Sequence, residues 1–275
     1  MNISVIGTGS FGTSLAMVLN DNNNRVVMYG RNQDTVLEIN ESHTNKQYLK
    51  NIELDKGITA TTALKEAVEH AEVLVLAVPV SAMRPVATEL NTLLTELNKT
   101  VLVVHVAKGL ELDTYKRVSE ILEEVFDEDR VSDICVLSGP SHAEEVAEKQ
   151  PTTVSTASLR GEGAKVIQDI FMSDYFRVYV NNDMVGVEIG GALKNIVALA
   201  VGALSGYGFG DNPKAAVITR GLHEIAHLGT KLGANPLTFL GLTGMGDLIV
   251  TATSQHSRNY RCGQMLASGL SLEEA

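Results

Sequence analysis

The opening two dozen residues restrict the fold more than any other stretch. Asn2-Ile3-Ser4-Val5-Ile6 is a short β-rich run, and Gly7-Thr8-Gly9-Ser10-Phe11-Gly12 follows it. A helical pattern then continues through Leu19 and is closed by the turn cluster Asp21 to Asn24. A lone G-x-G-x-x-G carries little weight, but between a strand and a helix it sits where dinucleotide binding requires it. Gly7 allows the tight turn, Gly9 lets backbone approach a pyrophosphate, and Gly12 permits close helix-to-strand packing. The competing reading is a tight β-α turn that holds no ligand.

The pattern then repeats. Residues 25–29, 72–78, 100–106, 133–137 and 152–156 read as buried strands, and helical patterns lie between them at about 81–94, 113–126 and 163–172. Such alternation predicts a doubly wound, parallel α/β sheet covered on both faces. After the second strand, where an NAD-specific site would place Asp or Glu against the ribose, the chain has Tyr29-Gly30-Arg31-Asn32. Arg31 can hold a 2′-phosphate, so NADP is favoured over NAD, the alternative being an exposed turn arginine.

From Asp183 strands disappear, and helical patterns with glycine-rich connections take over. The reading is an α/β dinucleotide-binding domain over 1–182 and an all-α domain over 183–275. The second opens on DMVGVEIGGALKNIVALAVGAL, whose polar interior residues are Glu188, Lys194 and Asn195. Wound as a helix, it places Lys194 on one side with Val187, Gly190, Gly191, Val197 and Ala198. Its length matches a membrane span, but two charges and an amide argue against one. A lysine on an apolar face either releases its proton more readily or holds an anion, unless it is merely paired with a carboxylate. Further on, Asn212 and Pro213 read as an N-cap and first helical residue, and Gly233 as the stop.

Charge and cysteine content narrow the function. Of the net charge of −11, residues 183–275 carry only six Lys/Arg against seven Asp/Glu, leaving about −10 for residues 1–182. So acidic a chain is a poor partner for nucleic acid or an anionic membrane. Cys135 and Cys262 form neither a disulfide framework nor a metal-ligand spacing, which fits a reducing, cytoplasmic location. His223-Glu224-Ile225-Ala226-His227 matches H-E-x-x-H, but Thr230 and Gly233 stand where the extended zinc pattern needs glycine and a third histidine. No metal is expected; the two histidines and the glutamate read as one polar stripe.

Six segments in order carry a resemblance: GTGSFGTSLA at the start, HVAKG at 105–109, SGPSHAEE at 138–145, GVEIGGALKN at 186–195, GMGDL at 244–248 and HSRN at 256–259. Together the chain resembles the bacterial-type, soluble NAD(P)-dependent glycerol-3-phosphate dehydrogenases. The resemblance implies a Rossmann-type N-terminal domain followed by a helical domain like the C-terminal domain of 6-phosphogluconate dehydrogenase. It implies reversible oxidation of sn-glycerol 3-phosphate to dihydroxyacetone phosphate, run toward glycerol 3-phosphate for phospholipid synthesis, and it suggests a homodimer.

By matching motifs, Lys194 looks like the proton acceptor. Lys108, Gly139, Ser141, Asp247, Ser257, Arg258 and Asn259 look like substrate contacts alongside it. Ser10, Phe11, Arg31, Lys108, Ala143 and Arg258 look like cofactor contacts. In the family the chain continues for several helices past the position of Ala275, so the sequence reads as C-terminally short.

The chemistry is consistent with those roles. Oxidising a secondary alcohol needs a base for the hydroxyl proton and a group that steadies the developing alkoxide. Lys194 and Lys108 are read as flanking the reacting oxygen, with Arg258 and Asn259 on the phosphate through charge-assisted hydrogen bonds. Gly190 and Gly191 are read as thinning the helix surface so that nicotinamide and substrate reach Lys194. Backbone N–H groups of 138–141 are read as meeting an anionic oxygen, against a plain N-cap by Ser141. Asp247 is expected to bond the hydroxyl end or orient Lys194, or to cap the helix that follows it. Two alternatives stand beside this: another two-domain dehydrogenase of the hydroxyacid or ketopantoate type, and a catalytically silent NADPH-binding regulator.

Overall fold

Eight strands form one sheet in the order β10-β9-β8-β7-β6-β1-β2-β5 in the computed structural model, which describes residues 1–275. They are β1 (Asn2–Ile6), β2 (Arg25–Tyr29), β5 (Ile58–Thr61), β6 (Val73–Leu76), β7 (Val101–His105), β8 (Val131–Ser138), β9 (Thr152–Ser158) and β10 (Phe176–Val180). Pairing is parallel from β5 across to β8, and again between β9 and β10. Every residue of β6 and β7 is buried, as a sheet covered on both faces demands.

Helices connect the strands: α1 (Ser10–Asp21), α2 (Gln33–Leu37), α3 (Leu64–His70), α4 (Val80–Glu96), α5 (Val118–Val125), α6 (Ala143–Ala147) and α7 (Gly163–Phe171). A two-stranded hairpin, β3 (Thr44–Asn45) and β4 (Leu49–Glu53), interrupts the crossover from β2 to β5. The core runs through Ile3, Val5, Leu15, Leu19, Val104, Cys135, Phe171 and Phe176. Burial of Cys135 pushes its thiol well above the usual range, so it behaves there as a small apolar side chain.

Strand order reverses beside β1. The chain builds outward through β2 and β5, then returns to place β6 on the other side of β1. This switch opens the crevice in which doubly wound sheets bind ligands.

Three details depart from the sequence reading. The helix expected over 113–126 begins only at Val118, because Asp113 and Tyr115 hold left-handed backbone angles of 69° and 55° that no α-helix admits. The Glu120 carboxylate then accepts the Arg117 N–H at 2.7 Å and closes the first turn. The strands β5 and β10 went unread because edge strands alternate: Phe176 and Val178 are buried while Arg177 and Tyr179 face solvent.

By contact the chain divides into two units, Met1–Leu137 with Ser141–Asn182, and Ser138–Pro140 with Asp183–Ala275. The second is helical: α8 (Met184–Gly206), α9 (Asp211–Lys231), a 3₁₀ turn Pro236–Leu240, a π turn Leu242–Gly246, α10 (Asp247–Thr253) and α11 (Arg258–Ala267). Asp183 caps α8 through the Gly186 N–H at 2.8 Å. Its other oxygen accepts from Asn235 N and Thr238 Oγ1 at 2.9 and 2.7 Å, tying the 3₁₀ turn to the helix start.

Helix α8 is long and apolar enough to cross a membrane by length and composition, yet 61% of its most apolar window is buried inside the protein. Small residues let α11 lie against it. A Cβ on Gly202 would sit 2.0 Å from the Tyr260 carbonyl oxygen, and one on Gly206 2.8 Å from that of Gln264. Helix α9 begins at Asp211 with Gly210 at the N-cap, so Pro213 falls inside the first turn and Asn212 is not the cap. Gly233, at φ +95°, follows its end as expected of a C-terminal glycine.

Candidate active site

Lys194 lies at the middle of α8 and is 7% exposed. Val187, Gly190, Gly191, Val197 and Ala198, on the same helical face, are buried with it. Nζ donates to Asp247 Oδ1 at 2.6 Å and to Thr251 Oγ1 at 2.5 Å. Asp247 is 1% exposed. A buried ammonium without a carboxylate would be strongly disfavoured, and so would the carboxylate without it; losing one partner of such a pair costs about 3–5 kcal/mol.

Thr251 stands one turn along α10, where its hydroxyl donates to the Asp247 carbonyl at 2.6 Å. That bond fixes the hydroxyl proton and leaves a lone pair facing Lys194. Spacing of i, i+4 on one helix therefore delivers both oxygens to one amine. Thr251 escaped the sequence reading, although the spacing from Asp247 was visible.

The glycines explain how Asp247 arrives. Gly190 lies one turn before Lys194, and a Cβ there would stand 2.4 Å from the Thr243 carbonyl oxygen. The backbone of Thr243 and Gly244 thus presses directly on α8, and α10 starts three residues later at Asp247. The expectation that Gly190 thins the surface for nicotinamide and substrate is corrected: it admits the protein's own backbone. Gly246 occupies the N-cap position of α10, and Asp247, the first residue of the helix, turns Oδ1 to the lysine.

Ser257, Arg258 and Asn259 begin α11. Ser257 is buried and its Oγ accepts the Tyr260 N–H at 3.2 Å, so this hydroxyl caps the helix. Arg258 is exposed and Asn259 half-buried. Tyr260 is seated against Gly202 and its hydroxyl donates to Ser205 Oγ at 2.9 Å. Contacts advance along α8 and α11 in the same direction, Gly202 to Tyr260 and then Gly206 to Gln264. The start of α11, with Arg258, therefore faces back along α8 toward its middle, where Lys194 lies.

In the other unit, the glycine turn follows β1 at the switch point. Gly7 has φ +124°, and a Cβ on it would be 2.5 Å from the Ala77 carbonyl oxygen beyond β6. One on Gly12 would be 2.3 Å from the Gly7 carbonyl oxygen. Gly9 is different: nothing lies within 4 Å of its missing Cβ. Two glycines are thus required by packing and the middle one leaves open space at the N-terminus of α1, a cradle that suits a pyrophosphate.

Ser10 Oγ donates to the Tyr48 carbonyl at 2.9 Å, and Phe11 packs half-buried on the core. Arg31 is exposed two residues beyond β2, while Lys108, half-buried, follows β7. Gly7, Arg31 and Lys108 all lie past the carboxyl ends of parallel strands, where such sheets bind ligands.

Gly139, at φ +151°, and Ser141 fall on opposite sides of the division between units. Ser141 does not cap α6; His142 holds that position, and Ala143 opens the helix half-buried against the core. His223 and His227 of the H-E-x-x-H stretch are exposed, with ring centroids 6.4 Å apart, and Glu224 pairs with Arg220 at 2.7 Å. No group of three or more His, Cys, Asp or Glu side chains has a metal-holding arrangement.

Comparison with known proteins agrees with these features. Residues 2–164 match the family described as NAD-dependent glycerol-3-phosphate dehydrogenase N-terminus, and residues 183–275 match its C-terminus. A glycerol-3-phosphate dehydrogenase (NAD(P)+) of Macrococcus caseolyticus is 54% identical over 275 residues, covering 100% of this chain and 82% of that protein. One from Staphylococcus haemolyticus is 56% identical, covering 99% and 81%. The crystal structure of glycerol-3-phosphate dehydrogenase from Coxiella burnetii superposes with a TM-score of 0.92 at 35% identity, covering 99% of this chain and 82% of that one. With a parallel sheet that reverses at a glycine turn, a helical unit built on α8, and both halves matched, the chain belongs to the NAD-dependent glycerol-3-phosphate dehydrogenase family.

Proposed function

We propose that this chain catalyses the reversible NAD(P)-dependent interconversion of sn-glycerol 3-phosphate and dihydroxyacetone phosphate in the cytoplasm, running toward glycerol 3-phosphate for phospholipid synthesis. The observation that carries the reading is Lys194, buried and held by Asp247 and Thr251. An alcohol–ketone interconversion needs one group that gives a proton to the carbonyl oxygen and takes it back in reverse. Lys194 is that group. Its pairing with Asp247 aims the amine, and the surrounding apolar face of α8 keeps water from competing for the proton.

The nicotinamide, when bound, supplies or accepts the hydride. In a turn shaped by Gly7 and Gly12, Gly9 would let the backbone approach the dinucleotide's pyrophosphate at the α1 N-terminus, and Ser10, Phe11, Lys108, Ala143 and Arg258 would complete the cofactor contacts. Arg31 takes the 2′-phosphate and so favours NADP. Gly139, Ser141, Ser257, Arg258 and Asn259 hold the substrate with Lys108 and Lys194. Lys108 adds a second cation that steadies the developing alkoxide. Residues 1–182 act as the dinucleotide-binding domain and 183–275 as the substrate domain.

Ser257 Oγ spends one lone pair on its capping bond and keeps its hydroxyl proton and a second lone pair for the substrate. The experiment is NADPH oxidation by the 275-residue chain with dihydroxyacetone phosphate, run beside a panel of 2-keto acids and ketopantoate. Turnover confined to the triose phosphate is expected. Turnover on a keto acid, or NADPH binding with no turnover, would defeat this reading in favour of the two alternatives.

A further inference from the structure

Beneath the glycine turn lies an amide that the reaction does not use. Asn45, in the first strand of the β3–β4 hairpin, is 0% exposed. Its Nδ2 donates to the Thr8 carbonyl and to Thr13 Oγ1, both at 2.9 Å. Thr8 precedes Gly9, and Thr13 follows Gly12, so one side chain bridges the two ends of the turn from below. The Thr13 hydroxyl also donates to the Thr8 carbonyl at 3.3 Å.

The orientation of the amide is not arbitrary. A carbonyl can only accept, so Nδ2 and not Oδ1 must face Thr8. Oδ1 is left buried with no partner, a cost of about 1–3 kcal/mol that the fold tolerates. Tolerating it makes sense where the geometry it enforces is useful.

That geometry concerns the Thr8–Gly9 peptide. It is trans, so its carbonyl and the Gly9 N–H point in opposite directions. Drawing the Thr8 carbonyl toward Asn45 turns the Gly9 N–H away from the core, at the residue whose Cα opens on empty space.

The hairpin that carries Asn45 is itself anchored. Ser10 Oγ holds the Tyr48 carbonyl at 2.9 Å, and the Glu38 carboxylate accepts the Lys46 N–H at 3.0 Å and the Thr44 hydroxyl at 2.7 Å. The Lys46 N–H and the Thr44 hydroxyl accordingly hold the Glu38 carboxyl below its usual range.

We infer that Asn45 is a positioning residue for dinucleotide binding, acting through Thr8 and Thr13 to set the amide that meets the pyrophosphate. The inference rests on reading the glycine turn as the dinucleotide site. The test is a pair of near-isosteric variants, Asn45→Leu and Thr13→Val, titrated with NADPH and with 2′-AMP, which has the adenine, ribose and 2′-phosphate but no pyrophosphate.

Asn45→Leu is expected to raise the NADPH Kd about tenfold, the equivalent of one to two hydrogen bonds. Thr13→Val is expected to raise it about threefold, and 2′-AMP to stay within about twofold of wild type in both. Unchanged NADPH affinity in a folded variant, or equal weakening of both ligands, overturns the assignment. If Asn45→Leu does not fold, Thr13→Val decides by the same two titrations. Wild-type protein that fails to bind NADPH would instead strike the dinucleotide reading itself.

Discussion

Both units place glycines at their most important point, and they use them for opposite ends. At Gly9 nothing lies within 4 Å of the missing side chain, whereas at Gly190 and Gly202 a Cβ would stand 2.4 and 2.0 Å from a backbone oxygen. The first vacancy is available to a ligand. The others are filled by the protein, and in filling them they bring Asp247 to Lys194 and α11 to α8. A glycine in a motif therefore does not say whether a ligand or a neighbouring backbone occupies its space. Only its surroundings do.

The largest effect expected from this contrast concerns the second unit's product, the buried lysine pair. Lys194→Met should lower turnover by about a thousandfold, in the range general acid–base groups contribute. It should also destabilise the fold by stranding Asp247. The double variant Lys194→Met with Asp247→Asn should recover thermal stability in calorimetry and recover no turnover. Recovery of both would make the lysine structural.

The glycines themselves come next. Gly202→Ala, with its Cβ aimed at the Tyr260 carbonyl, should cost about 1–3 kcal/mol in overpacking. The gain in helix propensity, about 1 kcal/mol, offsets only part of it. Gly9→Ala should instead leave the melting temperature unchanged or slightly raised, since Gly9 has an ordinary φ of −69° and open space. Its NADPH affinity, followed by nucleotide fluorescence, should fall at least about tenfold because the methyl holds the pyrophosphate off the backbone. Loss of melting temperature in Gly9→Ala would erase the contrast.

Within the first unit, Arg31→Ala should weaken NADPH about tenfold or more while leaving NADH nearly unchanged, the loss of one charge-assisted contact. Equal weakening of the two nucleotides would break the assignment of the 2′-phosphate to Arg31.

The smallest effect is in acid. Arg84 grips Glu111 through two 2.8 Å bonds, and these hold the Glu111 carboxyl down to about 2 from the usual 4.5. Because the folded value is depressed, the pair's stabilisation is complete above about pH 4.5, fades as pH falls, and is gone near pH 2. Glu111→Gln should therefore show a shallower decline of melting temperature between those pH values than the wild type.

Legibility from sequence followed range. The strand, glycine turn and helix at 2–19 are encoded within one local stretch, and periodicity alone placed Lys194 on the face that is buried. Its partner lies 53 residues away, and nothing in the spacing separates Asp247 as a helix cap from Asp247 as an ion-pair partner. The edge strands β5 and β10 hid because half their residues meet water. Asp113 and Tyr115 looked helical because their left-handed backbone leaves no mark in composition. Asn45 is an ordinary turn-forming residue until the hairpin folds under Thr8.

The sequence by itself determined the alternation that demands a parallel sheet, the glycine turn at its start, and a cation on an apolar helix. Each of these follows from periodicity or from a dihedral preference within a few residues. Only the tertiary structure decided which oxygens hold that cation, which glycines face backbone instead of open space, and that an amide from a distant hairpin sets the turn. Those are contacts between segments far apart in the chain, and they exist only once burial has brought the segments together.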